Sequence, residues 1–112
     1  MYAGIAFGLS EVEVFARLPE FGNRSARGIV DRLIIAPDRV LAIDYKTNRV
    51  VPRTAGEVPL GLLRQLGLYH AMLSAIYPGR RIEVAFLWTR TAELMPVPAE
   101  MVRSVLQSTP IT

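Results

Sequence analysis

The stretch GIVDRLIIAPDRVLAIDYKT, residues 28–47, decides the fold of this chain. Both halves are rich in isoleucine, leucine and valine, which favour strands, and they flank the pair Pro37-Asp38, which is typical of a turn. The stretch therefore predicts an antiparallel hairpin with arms at 28–35 and 40–47. Because both arms are apolar on two faces, we expect central strands of a sheet, and each charged residue within them needs a partner.

The register of this hairpin places two carboxylates face to face, because Asp31 lies opposite Asp44 when the arms are centred on the turn. Directly opposed side chains have Cβ atoms about 4.5–5.5 Å apart, where like charges destabilise a sheet unless a cation lies between them. A divalent metal ion would remove this conflict. Lys46 points to the same face as Asp44, because strand side chains alternate. The three groups together indicate a site that cleaves phosphodiesters.

The rest of the chain predicts a mixed α/β (α+β) domain around the hairpin. Alternating apolar residues predict strands, and proline and glycine mark the bounds of helices. The expected strands are 11–18, 26–35, 40–47 and 81–88, with 93–97 beside the last, and the expected helices are Pro59 to about Tyr77 and 99–107. The order is β-β-β-α-β followed by a tail. One main helix covers one sheet face, so we expect the cover of the other face to come from chain outside this sequence.

The main helix has a core stripe at three- and four-residue steps, formed by Leu62, Leu66, Tyr69, Leu73 and Ile76. Gln65 lies one turn before Tyr69 at the edge of this stripe. Gly61 and Gly67 each weaken the helix by up to about 1 kcal/mol relative to alanine. Either a close approach of two backbones or simple tolerance explains each glycine, and the sequence leaves both explanations open.

Composition bounds the function. The chain has 112 residues, 51% of them hydrophobic, which suits one globular domain or part of one. It has no cysteine, so disulfides and thiolate metal sites are excluded and any metal must have oxygen ligands. A net charge of +3 suits a polyanionic partner without naming nucleic acid. Residues 1–9 are apolar but lack a basic leader and are too short to span a membrane, so we expect a soluble intracellular protein.

Four ordered motifs resemble the RecB-type branch of the PD-(D/E)XK nucleases: GIVDRL (28–33), AIDYKTN (42–48), QLGLYHAML (65–73) and YPGRRIEVAFLWT (77–89). The resemblance covers most of the chain and is nearest to the C-terminal nuclease domain of the AddA group of bacterial helicase–nuclease subunits. It implies a restriction-endonuclease-like core with a mixed central sheet, without the N-terminal helix of the family. Residues 1–112 would then be a fragment of a larger helicase–nuclease subunit.

The resemblance also implies an activity. It is that of a Mg²⁺-dependent DNA exonuclease, in which Mn²⁺ substitutes, acting in double-strand-break repair beside an AddB-like partner subunit in the bacterial cytoplasm. No phosphate-cradling G-x-x-x-x-G-K-[ST] loop occurs, so ATP hydrolysis does not belong to this chain. Two rival functions remain open: a non-catalytic DNA-binding or assembly module of the same fold, and a stand-alone restriction-type nuclease. The presence of both aspartates and the lysine argues against the non-catalytic module.

Carried over position by position, the resemblance implies catalytic roles for Asp31, Asp44, Lys46, Gln65 and Tyr69. The two aspartates are the expected metal ligands, with the backbone carbonyl of Tyr45 as a third. A glutamate on the first strand of the family matches Glu11, with Glu13 as the alternative. The family also has a histidine on a helix before the sheet, and His70, predicted to lie on the helix surface, does not match it.

Several of these residues have a plainer explanation. Asp44 and Lys46 also suit a structural ion pair, and Tyr69 suits a core residue with a satisfied hydroxyl. Arg49 and Arg53 follow the third strand and are candidates for DNA contact, but scattered arginines are common in solvated loops. Trp88 suits either a base-stacking residue or, more simply, a core or rim residue. The exposed sheet face, lacking its cover, is a candidate surface for self-association.

Overall fold

The computed structural model describes residues 7–108, which form five strands, two α-helices and two short 3-10 helices. The strands are β1 Phe7–Leu18, β2 Arg24–Ile35, β3 Arg39–Lys46, β4 Arg81–Trp88 and β5 Glu93–Val97. The helices are α1 Leu60–Ile76 and α2 Ala99–Gln107, and the 3-10 helices are Pro19–Phe21 and Ala55–Glu57. The predicted order of elements is confirmed, although β1 begins four residues earlier than the sequence pattern indicates. Residues 1–6 of the apolar N-terminal segment lie outside the described part.

The five strands form one mixed sheet in the order β1-β2-β3-β4-β5. Neighbouring strands are antiparallel except β3 and β4, which are parallel. A parallel pair needs a crossover connection, and α1 provides it by packing across the sheet between β3 and β4. This arrangement confirms the predicted mixed α+β class. It also brings the carboxyl ends of β3 and β4 together at one edge of the sheet.

The predicted register of the central hairpin is confirmed over four pairs, from Ile35 opposite Val40 to Arg32 opposite Ile43. The regular pairing stops there, one step before the two aspartates. The ladder between β1 and β2 is interrupted at the same level. Every residue of β1 pairs with a residue of β2 except Glu11, which would face Asp31. Asp31 therefore lies where β2 has no regular pairing on either side.

The interruption has a backbone cause in β1. Glu11 has a φ of 51°, in the left-handed region that L side chains rarely adopt. Beyond it, the predicted inner face of β1 is confirmed, because Val14 and Leu18 are buried and Val12 and Ala16 pack against the same core. The left-handed residue thus lies at the point where the ladder between β1 and β2 is interrupted.

The core lies between the sheet and α1, and its largest fully buried side chains include Trp88, Phe86, Leu33, Leu66 and Met72. Of the predicted helix stripe, Leu66, Tyr69 and Leu73 are buried, but Leu62 is only half-buried and Ile76 is 40% exposed. The prediction for His70 is also wrong, because this side chain is buried. The reason is α2, which packs along that side of α1. Burial and the nearby Arg103 guanidinium lower the pKa of His70.

The sheet face opposite α1 is open in the part of the chain that the structure describes. Ile34, Leu41, Leu94 and Pro96 line a depression on this face, and Leu94 is 50% exposed. The main helix α1 covers only the other face, as expected from the sequence, and α2 packs against α1. Self-association through the open face stays a prediction. Between residues 7 and 108, no helix is long and apolar enough to cross a membrane.

The two glycines of α1 have different explanations. A Cβ atom added at Gly67 would lie 2.7 Å from the carbonyl oxygen of Val102, so the glycine permits α2 to approach α1 closely. At Gly61 an added Cβ meets nothing within 4 Å, so this glycine is merely tolerated. The close approach that the sequence left open is therefore assigned to Gly67 alone.

These two positions make a matched test of the packing. We expect Gly67→Ala to lower the free energy of unfolding by about 1–3 kcal/mol, because the backbone of α2 must shift. Gly61→Ala should raise it by up to about 1 kcal/mol, because alanine favours the helix and fits the available space. Urea denaturation of both variants measures the difference, and a stabilising Gly67→Ala would contradict the packing of α2 on α1.

Candidate active site

Asp44 and Lys46 lie at the carboxyl end of β3 on the face that α1 covers. Side chains alternate along the strand, so both point toward the helix, with only 5% of the Asp44 side chain and 19% of the Lys46 side chain exposed. Lys46 Nζ lies 2.8 Å from Asp44 Oδ2. The site therefore has a buried ion pair at the edge where the two parallel strands end.

Asp31 joins this pair from β2 through an unusual main-chain contact. The Tyr45 backbone N–H donates a 2.8 Å hydrogen bond to Asp31 Oδ2. A carboxylate oxygen thus accepts a hydrogen bond from β3 just beyond the last regular pair of the two strands. Because Asp31 is held beside Asp44 in this way, the two carboxylates interact, as the hairpin register predicts.

The electrostatics of Asp44 are unfavourable to its charged form. Burial, as the largest cause, raises the pKa of Asp44, and the neighbouring Asp31 raises it further, while Lys46 opposes both. Although Oδ2 lies at contact distance from Lys46, no donor in the described chain is aligned to give it a hydrogen bond. The contact is thus an ion pair without good hydrogen-bond geometry.

Lys46 is also held from the helix side. Its Nζ donates a 2.9 Å hydrogen bond to Gln65 Oε1. Gln65 Nε2 in turn donates to the Tyr69 hydroxyl at 3.2 Å, and that hydroxyl donates to the Ile29 carbonyl at 2.8 Å. A continuous chain of hydrogen bonds therefore runs from the ammonium group across α1 to the backbone of β2.

Tyr69 fits both explanations that the sequence left open, namely a role in the site and a core residue with a satisfied hydroxyl. It is 4% exposed and belongs to the core, and its hydroxyl is fully used in the hydrogen-bond chain. Burial, and next the charge of Asp44, raise the pKa of Tyr69. The phenol therefore keeps its proton at neutral pH and remains a donor to the Ile29 carbonyl.

The structure does not bring the first-strand glutamates into the site in the same way. Glu11 is exposed and faces the level of Asp31 across the interrupted ladder, but within residues 7–108 no three acidic or histidine side chains gather closely enough to hold a metal ion. Glu13 instead forms an exposed ion pair with Arg27 at 3.1 Å. The role of Glu11 as a ligand stays a prediction, as does that of the Tyr45 carbonyl.

The three candidates for DNA contact outside the carboxylate site differ in exposure. Arg49 and Arg53 are exposed in the loop after β3, and their contact with DNA stays a prediction. Trp88 is 1% exposed, so it does not stack a base, and it packs against Phe86 with ring centroids 5.1 Å apart. The simpler explanation of Trp88 as a core residue is correct.

Two groups that contribute to the site were not predicted from the sequence. One is the Ile29 carbonyl, a backbone group that every residue has and that no motif marks. The other is Thr89, whose backbone N–H and hydroxyl donate to the Lys46 carbonyl at 2.9 and 3.1 Å. The parallel pairing of Lys46 with Trp88 places Thr89 there, and that pairing joins residues 42 positions apart. The only available signal was the equal length of the two strand patterns.

The donor set at Asp31 and Asp44 fits a divalent cation. Magnesium is commonly bound in proteins by one or two carboxylates, with water and substrate phosphate completing six oxygen ligands. The site offers two interacting carboxylates of that type and a buried oxygen without an aligned hydrogen-bond donor. A cation between them would stabilise the charged form of Asp44, which its surroundings otherwise disfavour.

Comparisons with known proteins identify the superfamily of this chain and the likeness of its fold. A family model described as the PD-(D/E)XK nuclease superfamily matches residues 3–109, and the chain belongs to that superfamily, whose members are generally metal-dependent nucleases. The solved structure titled "Crystal structure of SSO0001" is similar over 89% of this chain and 48% of its own, with a TM-score of 0.51 and 17% identity. That likeness concerns the fold alone, and this chain spans about half the length of that protein. No curated protein matches the chain.

The raised pKa of Asp44 predicts how stability depends on pH without metal. The folded state binds the proton of Asp44 more tightly than the unfolded state, so this group lowers the free energy of unfolding as pH rises from about 4 through the raised pKa. Asp44→Asn removes that titration. We therefore expect Asp44→Asn to be more stable than the wild type at pH 7 in EDTA, with the difference shrinking toward pH 4.

Urea denaturation across this pH range measures the effect, and Asp38→Asn in the β2–β3 turn serves as the control because Asp38 is exposed. A wild type that gains stability over Asp44→Asn as pH rises would contradict the account, since it would mean that the Lys46 ion pair outweighs burial.

Proposed function

We propose that this chain is a Mg²⁺-dependent DNA exonuclease domain that hydrolyses phosphodiester bonds during the resection of double-strand breaks. The observation that carries the nuclease part is the meeting of Asp31, Asp44 and Lys46 on one sheet face, with Lys46 held between a carboxylate and Gln65. Superfamily membership supports the same chemistry. The exonuclease and repair role, the bacterial cytoplasm, the attached AddA-like helicase and the AddB-like partner rest on the four sequence motifs.

The chain's own groups divide the work of the reaction. Asp31 and Asp44 would hold the cation, which when bound lowers the pKa of water and polarises the scissile phosphate. Lys46 extends its ammonium group beside them, where it stabilises the negative charge that develops on the phosphate oxygens. Gln65 and Tyr69 position Lys46 and need not touch the substrate. This division requires no covalent link between enzyme and DNA.

The exposed loop after β3 is the proposed path of the DNA backbone. Arg49 and Arg53 follow Lys46 by three and seven residues in an exposed loop, so a strand bound there would pass close to the reacting phosphate. The net charge of +3 favours such a partner. Arg53 is fixed at its backbone, because its N–H donates to Glu57 at 3.0 Å. We propose both arginines as phosphate contacts.

The test compares two positively charged side chains of β3, Lys46 in the site and Arg39 at the opposite end of the strand. Lys46→Gln should lower the rate of Mg²⁺-dependent DNA cleavage by about a hundredfold to a thousandfold, because a transition-state charge loses its partner. DNA binding should change little, since Lys46 is largely buried. Arg39→Gln removes the same charge from the other end of β3, where Arg39 pairs with Glu83 at 3.7 Å, and should leave cleavage intact.

Cleavage rates and DNA affinity are measured on the same preparations. Equal cleavage rates for Lys46→Gln and the wild type would contradict the catalytic role of Lys46. Absence of cleavage by the wild type, together with metal-independent DNA binding, would favour the non-catalytic module.

A further inference from the structure

The hydrogen-bond chain behind Lys46 has a single consistent direction. At one end, the Ile29 carbonyl can only accept a hydrogen bond, and at the other, the Lys46 ammonium group can only donate. The Tyr69 hydroxyl donates its one proton to the Ile29 carbonyl at 2.8 Å. It must therefore accept a hydrogen bond from the amide group of Gln65. The amide oxygen is then the atom left for Lys46, at 2.9 Å. The anchor on β2 thus determines that Lys46 faces an acceptor.

This anchor depends on how closely Tyr69 approaches the strand. A Cβ atom added at Gly28 would lie 2.7 Å from Tyr69 Cε1 and 3.6 Å from Met72 Cε. Real Cβ atoms essentially never lie this close to another heavy atom, so a side chain at this position requires the ring or the strand to shift. The ring is itself buried and packed in the core, which leaves it little room to yield without shifting its hydroxyl.

We propose that Gly28 is a positioning residue for Lys46. The missing side chain lets the Tyr69 ring lie against β2 with its hydroxyl on the Ile29 carbonyl, and this contact orients Gln65 toward the ammonium group. Strand β2 therefore contributes to the site twice, through the carboxylate of Asp31 and, three residues earlier, through the space at Gly28.

Loss of the anchor has a definite consequence for the site. When the Tyr69 hydroxyl is displaced or removed, Gln65 Nε2 loses the acceptor that orients the amide group, which is then free to turn its donors toward Lys46. Two donors facing one another repel, so Lys46 would lose its hold on the helix side and keep only the contact with Asp44. The ammonium group would become mobile and poorly placed for catalysis.

Lys46 is the only lysine of the chain, so its side chain can be observed alone. Lysine-selective ¹³C labelling gives one Cε methylene signal, whose relaxation reports how tightly the ammonium end is held. In protein free of DNA and metal, Gly28→Ala should increase the mobility of this group. Tyr69→Phe, which keeps the ring and removes the hydroxyl, should increase it to a similar extent. Gly28→Ala in the Tyr69→Phe background should add little.

Gly67→Ala is the matched control. Its added Cβ makes an equally short contact, 2.7 Å, but with the backbone of α2. It should destabilise the fold while leaving the Lys46 signal unchanged, which separates positioning from general loss of stability.

The kinetics of DNA cleavage provide a second measurement, which rests on the proposed function. Gly28→Ala should lower kcat by roughly tenfold to a hundredfold with KM nearly unchanged, because a misplaced group slows the chemical step more than binding. An unchanged Lys46 signal in Tyr69→Phe overturns the inference even if Gly28→Ala fails to fold. So does a Lys46 signal that Gly67→Ala loosens as much as Gly28→Ala. A wild type that cuts no DNA contradicts the proposed function but leaves the relaxation result standing.

Discussion

The burial of the Asp44 carboxylate beside a second carboxylate is the constraint on which the rest of the site depends. Removing a charged group from water is costly unless opposite charge and hydrogen bonds compensate for it. Lys46 compensates in part, but Oδ2 still lacks an aligned donor and the pKa of Asp44 is still raised. A site in this condition is destabilised without a cation and suited to bind one, as functional sites often are.

The surrounding structure serves to hold that arrangement in place. The ladder between β1 and β2 is interrupted at Asp31, and the regular pairing of β2 with β3 ends one step before it. A backbone N–H of β3 fixes the Asp31 carboxylate. Lys46 is fixed at three points: its carbonyl by Thr89, and its ammonium group by Asp44 and Gln65. Such preorganisation means that little reorientation is needed when substrate binds. The left-handed backbone of Glu11 lies at the same interruption, which is where strain is expected near a functional site.

Much of this was predictable because it is encoded locally. The turn at Pro37-Asp38 fixed the hairpin register, and that register put Asp31 beside Asp44. The bounds of α1 followed from proline and glycine. Long-range effects were missed: His70 is buried by α2, which begins 29 residues further along the chain, and the Ile29 carbonyl has no sequence signature. The split between Gly61 and Gly67 likewise needed the position of Val102, which helical periodicity does not contain.

The central claim is that Asp31 and Asp44 hold a divalent cation. The most direct measurement is calorimetric titration of Mn²⁺ or Mg²⁺ into the metal-free protein, its Asp44→Ala variant, and a Glu13→Ala control that removes an exposed carboxylate paired with Arg27. We expect saturable binding to the wild type and to Glu13→Ala, and loss of that binding in Asp44→Ala. No binding to the wild type, or equal binding to Asp44→Ala, would contradict it.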